Sequence, residues 1–195
     1  MQGDLPAARG RYEESLAVRR DLGDRPGVAL SLNNLGILAA RLEDFDMARA
    51  YLDESLAIKR EIGDRNGAAN CLYNLGLLAA DQEDYSSSRK YLAEGLDLFY
   101  KIGGTPGITN CLTAFSMLAI KEKRWEAGVC LLAFSSGLRE TGGVALAAED
   151  QAARDHDMEM AREALGDAAY TAARDRGRAL EVAQAISLAN ESPLD

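Results

Sequence analysis

The sequence predicts an all-α fold of stacked antiparallel helix pairs. Two observations carry that prediction. One stretch is written three times at a single spacing: GDRPGVALSLNNLGILAA at 23–40, GDRNGAANCLYNLGLLAA at 63–80 and GGTPGITNCLTAFSMLAI at 103–120. Between the glycine links, apolar residues recur at helical spacing. A period of this length with helices inside it marks a solenoid, whose units bury their apolar faces only by stacking. The expected form is a right-handed superhelix of helix pairs with a C-terminal helical cap.

The copies align without gaps. Leu5, Phe45, Tyr85 and Trp125 share one column; Ala8, Ala48, Ser88 and Gly128 another; Tyr12, Leu52, Leu92 and Leu132 a third. Each unit reads as two helices. Residues 27–42 set Leu32, Leu35, Leu38 and Ala39 on one face, and residues 45–62 do the same with Phe45, Ala48, Leu52, Leu56 and Ile62. The link LEDF is long enough only for an antiparallel return. Asp44 and Asp84 suit the N-cap there, and Asp24 suits it after the GDRPG link. Gly23, Gly63 and Gly103 fit the left-handed position that ends a helix, with Pro26 tolerated in the next first turn. In the third copy Thr105 and Pro106 are expected to take over the cap and first-turn roles. Gly36 and Ala48 are expected to let facing backbones approach closely.

The motif Asn34-Leu35-Gly36, repeated as Asn74-Leu75-Gly76 and followed by Ala48 and Leu52, resembles the tetratricopeptide repeat. The usual unit is about 34 residues long and has a late proline. Here the unit is longer, running from Gly23 to the equivalent Gly63, with Arg60 and Lys101 near the proline position. That longer form is similar to the repeats of bacterial regulators and kinesin-light-chain-like scaffolds. The resemblance covers roughly residues 3–140 and implies a protein-interaction solenoid.

The two ends differ from the middle. Residues 4–22 read as the second helix of a pair without its first, leaving Leu5, Ala8, Tyr12 and Leu16 without a preceding neighbour. This suggests a longer parent chain or array upstream of Met1. After residue 140 the columns fade into a long alanine-rich helix, a shorter one capped by Asp167 and stopped by Gly177, and a last one after Glu181. We therefore expect a repeat array at 1–140 and capping helices at 141–195 packed on it. Leu165-Gly166, Ala172, Ala173, Gly177-Arg178-Ala179-Leu180, Ala185, Ile186 and Ala189 resemble the tail of LuxR-type, SARP-type and cyclase-linked ATPase regulators of bacteria. In that family a Ser or Thr caps the last helix where this chain has Glu181. The nucleotide-binding loop of those regulators has no counterpart here, since G-x-x-x-x-G-K-[ST] does not occur.

Composition narrows the function. The 22 basic and 31 acidic residues give a net charge of −9, which argues against nucleic acid as a direct partner. No apolar run reaches membrane-span length and the N-terminus lacks a signal-peptide pattern, so the cytoplasm is the expected compartment. The three cysteines do not make a disulfide framework. Cys71 and Cys111 share a packed column with Ser31, and Cys130 is left room to be partly exposed. His156, the only histidine, lies between Asp155 and Asp157 without other ligands in metal spacing. Trp125 falls in the aromatic core column. No nucleophile motif, cofactor cradle or metal site is legible, and the expectation is a non-enzyme without cofactor.

What remains is a surface. The first helix of each pair should line a concave groove, exposing residues three or four apart. The first copy offers Leu30, Asn33, Asn34, Ile37 and Arg41, and the second Asn70, Tyr73, Asn74, Leu77 and Asp81. The third offers Asn110, Thr113, Met117 and Lys121. An asparagine amide donates and accepts, so it suits an extended peptide backbone. Two roles stay open for Asn34 and Asn74: clamping a peptide, or bridging neighbouring helices. The expected partner is a protein, a peptide or another domain of a longer parent chain. The alternative is a structural oligomerisation unit, a homo-oligomer through the open N-terminal edge.

Overall fold

In a computed structural model, which describes residues 5–142 and 148–191, the described residues form ten α-helices. They are α1 (Leu5–Asp21), α2 (Arg25–Arg41), α3 (Phe45–Glu61), α4 (Arg65–Asp81) and α5 (Tyr85–Ile102), followed by α6 (Thr105–Lys121), α7 (Trp125–Gly142), α8 (Ala148–Leu165), α9 (Asp167–Arg178) and α10 (Val182–Asn190). Helices α1, α3, α5 and α7 start at 5, 45, 85 and 125, while α2, α4 and α6 start at 25, 65 and 105. The sequence period is therefore the structural period. The chain forms two compact units, Met1–Leu98 and Phe99–Asp195.

The links explain why each helix stops where it does. Gly23, Gly63 and Gly103 have φ of +69°, +74° and +71°, the left-handed cap position. The other class of link uses the same conformation with a non-glycine residue: Glu43, Glu83 and Lys123 lie at φ +61°, +59° and +59°. The backbone amides of Glu43 and Asp44 bond back to the Ala40 and Ala39 carbonyls, as those of Gly23 and Asp24 do to Arg20 and Arg19. The aspartates then start the next helix. Asp24, Asp44, Asp64 and Asp84 accept from the backbone N–H groups of Gly27, Met47, Gly67 and Ser87 at 3.0, 3.4, 2.8 and 3.0 Å. At Gly27 and Gly67 a Cβ would lie 2.0 and 2.1 Å from the carboxylate as it is placed, whereas Met47 and Ser87 hold the same position after the other class of link.

Three readings of the links and tail are corrected, and the start of the last helix is defined. Thr105 is the first residue of α6, not its cap; Gly104 holds the cap position and offers no side chain. Likewise Gly166 precedes α9, with Asp167 as its first residue. Gly177 does not stop α9, which runs through it to Arg178. Glu181 starts α10 soundly, because its N–H donates to Gln184 Oε1 at 2.8 Å, one arm of a capping box.

In the first unit, side chains of the second helices sit on bare spots of the first helices. A Cβ at Gly36 would lie 2.6 Å from Leu52 Cγ and 3.2 Å from the Ala48 carbonyl oxygen, and one at Gly76 would lie 2.7 Å from Leu92 Cγ. Leu32, Leu35, Leu52, Leu72 and Leu75 are at most 1 % exposed. Burying one such side chain contributes about 1.5–3 kcal/mol, far more than any surface ion pair here. In the second unit α8, α9 and α10 pack on α6 and α7. Ile120, Val129, Cys130, Ala161 and Ala173 form its core, with Trp125, Met158 and Tyr170 packed against it.

Candidate functional site

The predicted groove residues of the first unit lie along α2 and α4. Asn33, Asn34, Ile37, Tyr73, Asn74 and Leu77 are half-buried, while Leu30, Arg41, Asn70 and Asp81 are exposed. Helical spacing sets them on one side, because α2 and α4 bury Leu32, Leu35, Leu72 and Leu75 on the other. Although the Asp81 residue is exposed, desolvation on its inner side raises the carboxyl from its ordinary value.

Two of these residues meet across neighbouring repeats. Asn74 Nδ2 donates to Asn33 Oδ1 at 3.0 Å, and the Cys71 thiol reaches the same oxygen at 3.5 Å. Cys71 Sγ in turn lies 3.2 Å from Ser55 Oγ, whose hydroxyl donates to the Ala29 carbonyl at 2.7 Å. A polar thread thus runs from the backbone of α2, through α3 and α4, to the asparagine face. The bridge uses the Asn33 oxygen and one N–H of Asn74. By the amide inventory it does not use the Asn33 nitrogen or the Asn74 oxygen. Sequence reasoning considered bridging for Asn34 and Asn74, yet the bridging partner is Asn33. The pair is offset from the repeat by one position, so comparison of columns alone passes over it. Asn70 Nδ2 bonds back to the Asn66 carbonyl of its own helix at 2.9 Å.

In the second unit Asn110 and Lys121 are exposed and Met117 is half-buried. Thr113 differs from the expected exposed set: it is 5 % exposed, donates to the Thr109 carbonyl at 2.9 Å and accepts from Arg139 Nη2 at 3.1 Å. That arginine comes from α7, so Thr113 lies against the next helix instead of on the open face.

All three cysteines are free and buried. Burial pushes the Cys111 thiol up to about 12 and raises Cys71. Cys130, left room for exposure by the sequence, is 0 % exposed. Its thiol donates to the Ala173 carbonyl at 3.0 Å and receives Arg176 Nε at 3.2 Å, with Arg176 also bonded to Glu126. His156 is exposed, whereas its neighbour Asp157 is buried. Among the described residues no group of three or more His, Cys, Asp or Glu side chains is placed to hold a metal ion. No helix among them is long and apolar enough to cross a membrane. Trp125 is half-buried beside its core cluster and lines an open 590 Å³ cleft with Lys123, Leu165 and Glu191.

Comparison with known proteins agrees with this geometry. The tetratricopeptide repeat model matches residues 1–61 and 33–101, together 101 of the 195 residues. No curated protein gives a significant sequence match. Among solved structures, the chain is similar to the crystal structure of BtubC (BKLC) from P. vanneervenii, with a TM-score of 0.71 and 18 % identity. That likeness covers 100 % of this chain and 78 % of the other, and at this identity it speaks for the fold alone. Period, helix pairing and family model converge on an all-α solenoid: the chain belongs to the tetratricopeptide repeat family.

Proposed function

We propose that this protein is a non-enzymatic interaction module that holds an extended peptide segment of a protein partner on its first-helix face. In the first unit the contact residues are Asn33, Asn34, Ile37 and Arg41 with Asn70, Tyr73, Asn74 and Leu77. In the second unit Asn110, Met117 and Lys121 offer a smaller face of the same kind. The observation that carries the reading is the Asn33–Asn74 bridge, which fixes two amides side by side and half-buried on adjacent repeats. A held amide loses little side-chain entropy on binding, and it can both donate to and accept from a peptide backbone. Ile37 and Leu77 add apolar contact beside it. Tetratricopeptide repeats in general serve protein–protein interaction, which supports this use.

The finer setting is also a proposal. The tail Leu165-Gly166 with Gly177-Arg178-Ala179-Leu180 supports a bacterial regulator acting in the cytoplasm, with residues 1–140 as the array and 141–195 as its cap. Peptide occupancy would then bias a contact with another domain of the regulator.

Selection of unstructured peptides displayed on phage, followed by titration of the recovered peptides, tests the groove. The Asn34→Ala/Asn74→Ala variant is expected to keep its melting temperature within a few degrees and to bind about tenfold more weakly or worse. Unchanged affinity in the folded double variant would sink the groove assignment.

A further inference from the structure

Inside the second unit, residues of α7, α8 and α9 line a 300 Å³ cavity, a volume at the lower end of small-molecule sites. Two residues of α7 keep it open. Leu132 is half-buried, while its counterparts Leu52 and Leu92 are each 1 % exposed. Gly137 is a glycine inside the helix, where glycine is among the least favourable residues. A Cβ at Gly36 or Gly128 would overlap a neighbour, but one at Gly137 would meet nothing within 4 Å. Packing therefore gives no reason for this glycine, and its bare position adds to the width of the cavity.

The polar groups of the lining are unused. Arg174 and Arg178 stand one turn apart on α9. The Arg178 side chain makes no ion pair or hydrogen bond among the described residues. Arg174 Nε is buried without a hydrogen-bond partner, and its ion-pair partner, Asp175 Oδ1, is 3.6 Å away and off the lining. Ser136 and Tyr170 bring two hydroxyls that hydrogen-bond to no other described residue. Glu140 adds an exposed carboxylate, also without an ion pair among the described residues. The lining thus sets two positive charges against one negative.

We propose that this cavity binds a small monocarboxylic acid with an apolar body. Arg174 and Arg178 receive the carboxylate, whose two oxygens suit an arginine fork, and the Ser136 and Tyr170 hydroxyls are further donors. Leu132 and Met158, with the open space at Gly137, take the hydrocarbon. A carboxylate supplies the acceptor that the buried Arg174 Nε lacks. One negative charge balances the lining, and Glu140 acts against a dianion. The site lies wholly within the second unit and does not depend on the asparagine face.

Isothermal titration of the full chain with butanoate, 4-methylpentanoate and phenylacetate tests the site. Affinity is expected to rise with the size of the apolar body, to a dissociation constant below about 1 mM for the two larger acids. The neutral 4-methylpentanamide keeps the shape without the charge and is expected to bind about tenfold more weakly or worse. Arg174→Gln/Arg178→Gln is expected to weaken 4-methylpentanoate by about tenfold or more. Gly137→Leu fills the open space from a helix position that favours leucine, so it is expected to keep its melting temperature and lose binding. No saturable binding by any of the three acids would overturn the proposal. So would unchanged affinity in the folded Gly137→Leu variant, equal affinity for the amide, or inorganic phosphate binding as tightly as 4-methylpentanoate.

Discussion

The helix pairs α2–α3 and α6–α7 lie in different units and achieve close approach from opposite sides. In α2–α3 the first helix carries the hole, Gly36, and the second carries the knob, Leu52. In α6–α7 the hole moves to the second helix. A Cβ at Gly128 would lie 2.5 Å from Ile120 Cδ1, so the knob comes from the first helix. The columns trace the exchange: Ala40 and Ala80 become Ile120, Ala48 and Ser88 become Gly128, and Gly36 and Gly76 become Ser116. Ser116 keeps a bond across the pair, donating to the Gly128 carbonyl at 2.8 Å. Leu132, the third counterpart of Leu52, is only half-buried and lines a 300 Å³ cavity with Met158, Tyr170 and Arg174. A solenoid thus keeps its helix pairing while the residues that set it change place. What each junction requires is one small residue facing one large one, not a fixed column for each.

The largest effect expected from breaking this arrangement lies in the non-repeating part. A Cβ at Gly177 would fall 2.3 Å from the Cys130 carbonyl oxygen and 2.8 Å from its Cα, both backbone atoms that cannot turn away. Gly177→Ala is expected to cost about 3 kcal/mol, the upper end of overpacking, despite alanine's better helix propensity. Urea unfolding would measure the loss, and hydrogen exchange should place it in α7 and α9. Gly128→Ala comes next, at about 1–2 kcal/mol, because Ile120 is a side chain that can partly give way. Adding Ile120→Ala recreates the Ala40/Ala48 pairing of the first unit. The double-mutant cycle should therefore show a favourable coupling of about 1 kcal/mol. Strict additivity would mean that knob and hole do not act as a pair.

The repeat is legible in the sequence because its signal is redundant: glycine links, aspartate caps and leucine columns each return at the same spacing. The expected bounds of α2 and α3 accordingly fall close to the observed ends. What escaped is set by contacts that no column records. Thr105 looks like a cap because it is a threonine after a glycine link, but the backbone places Gly104 there. Gly177 looks like a helix stop, yet it is glycine because α7 passes too close for any side chain. The candidate face is readable as a set of exposed positions on a helix. The Asn33–Asn74 bridge and the inward turn of Thr113 depend on which partner from another helix arrives, and a single-helix pattern carries no such information.

A smaller effect sharpens the comparison of junctions within one column. Ala48, Ser88 and Gly128 are equivalent, and the Ser88 hydroxyl is buried with no hydrogen-bond partner among the described residues. Ser88→Ala removes a desolvated polar group and copies the first repeat. It should raise stability by about 1 kcal/mol, visible as a higher urea midpoint with unchanged slope. A loss of stability would show that the hydroxyl has a partner. The links give a similar gain. Glu43 sits at φ +61° where the companion class of link has glycine. Glu43→Gly should relieve about 1 kcal/mol of left-handed strain, partly offset by chain entropy. The net gain should appear as a small rise in Tm, and the same change at Glu83 should match it.

The smallest effect concerns how one column is neutralised along the chain. Arg19, Lys59 and Phe99 are equivalent. Arg19 donates to the Gly27 carbonyl and the Ser31 hydroxyl at 2.8 and 3.0 Å, and Lys59 pairs with Asp64 at 3.0 Å. Phe99 instead lays its ring where a Cβ of Gly107 would be. Burial acts to raise the Asp64 carboxyl, but the Gly67 N–H and Lys59 outweigh it and hold it below its ordinary 3.8. A carboxyl depressed in the folded state contributes stability above its unfolded pKa and loses it as pH falls through the folded value. The wild type should therefore lose stability below about pH 4. Lys59→Met keeps the apolar stem, as Phe99 does in the third copy, and removes the charge. Its stability at neutral pH should change by less than about 1 kcal/mol, since Asp64 is partly solvated. Its loss between about pH 5 and pH 3 should be shallower than that of the wild type, because without Lys59 the Gly67 N–H no longer outweighs the upward pull of burial on Asp64. Parallel acid-unfolding profiles for the two proteins would show that the lysine packs in this column without holding the aspartate's charge.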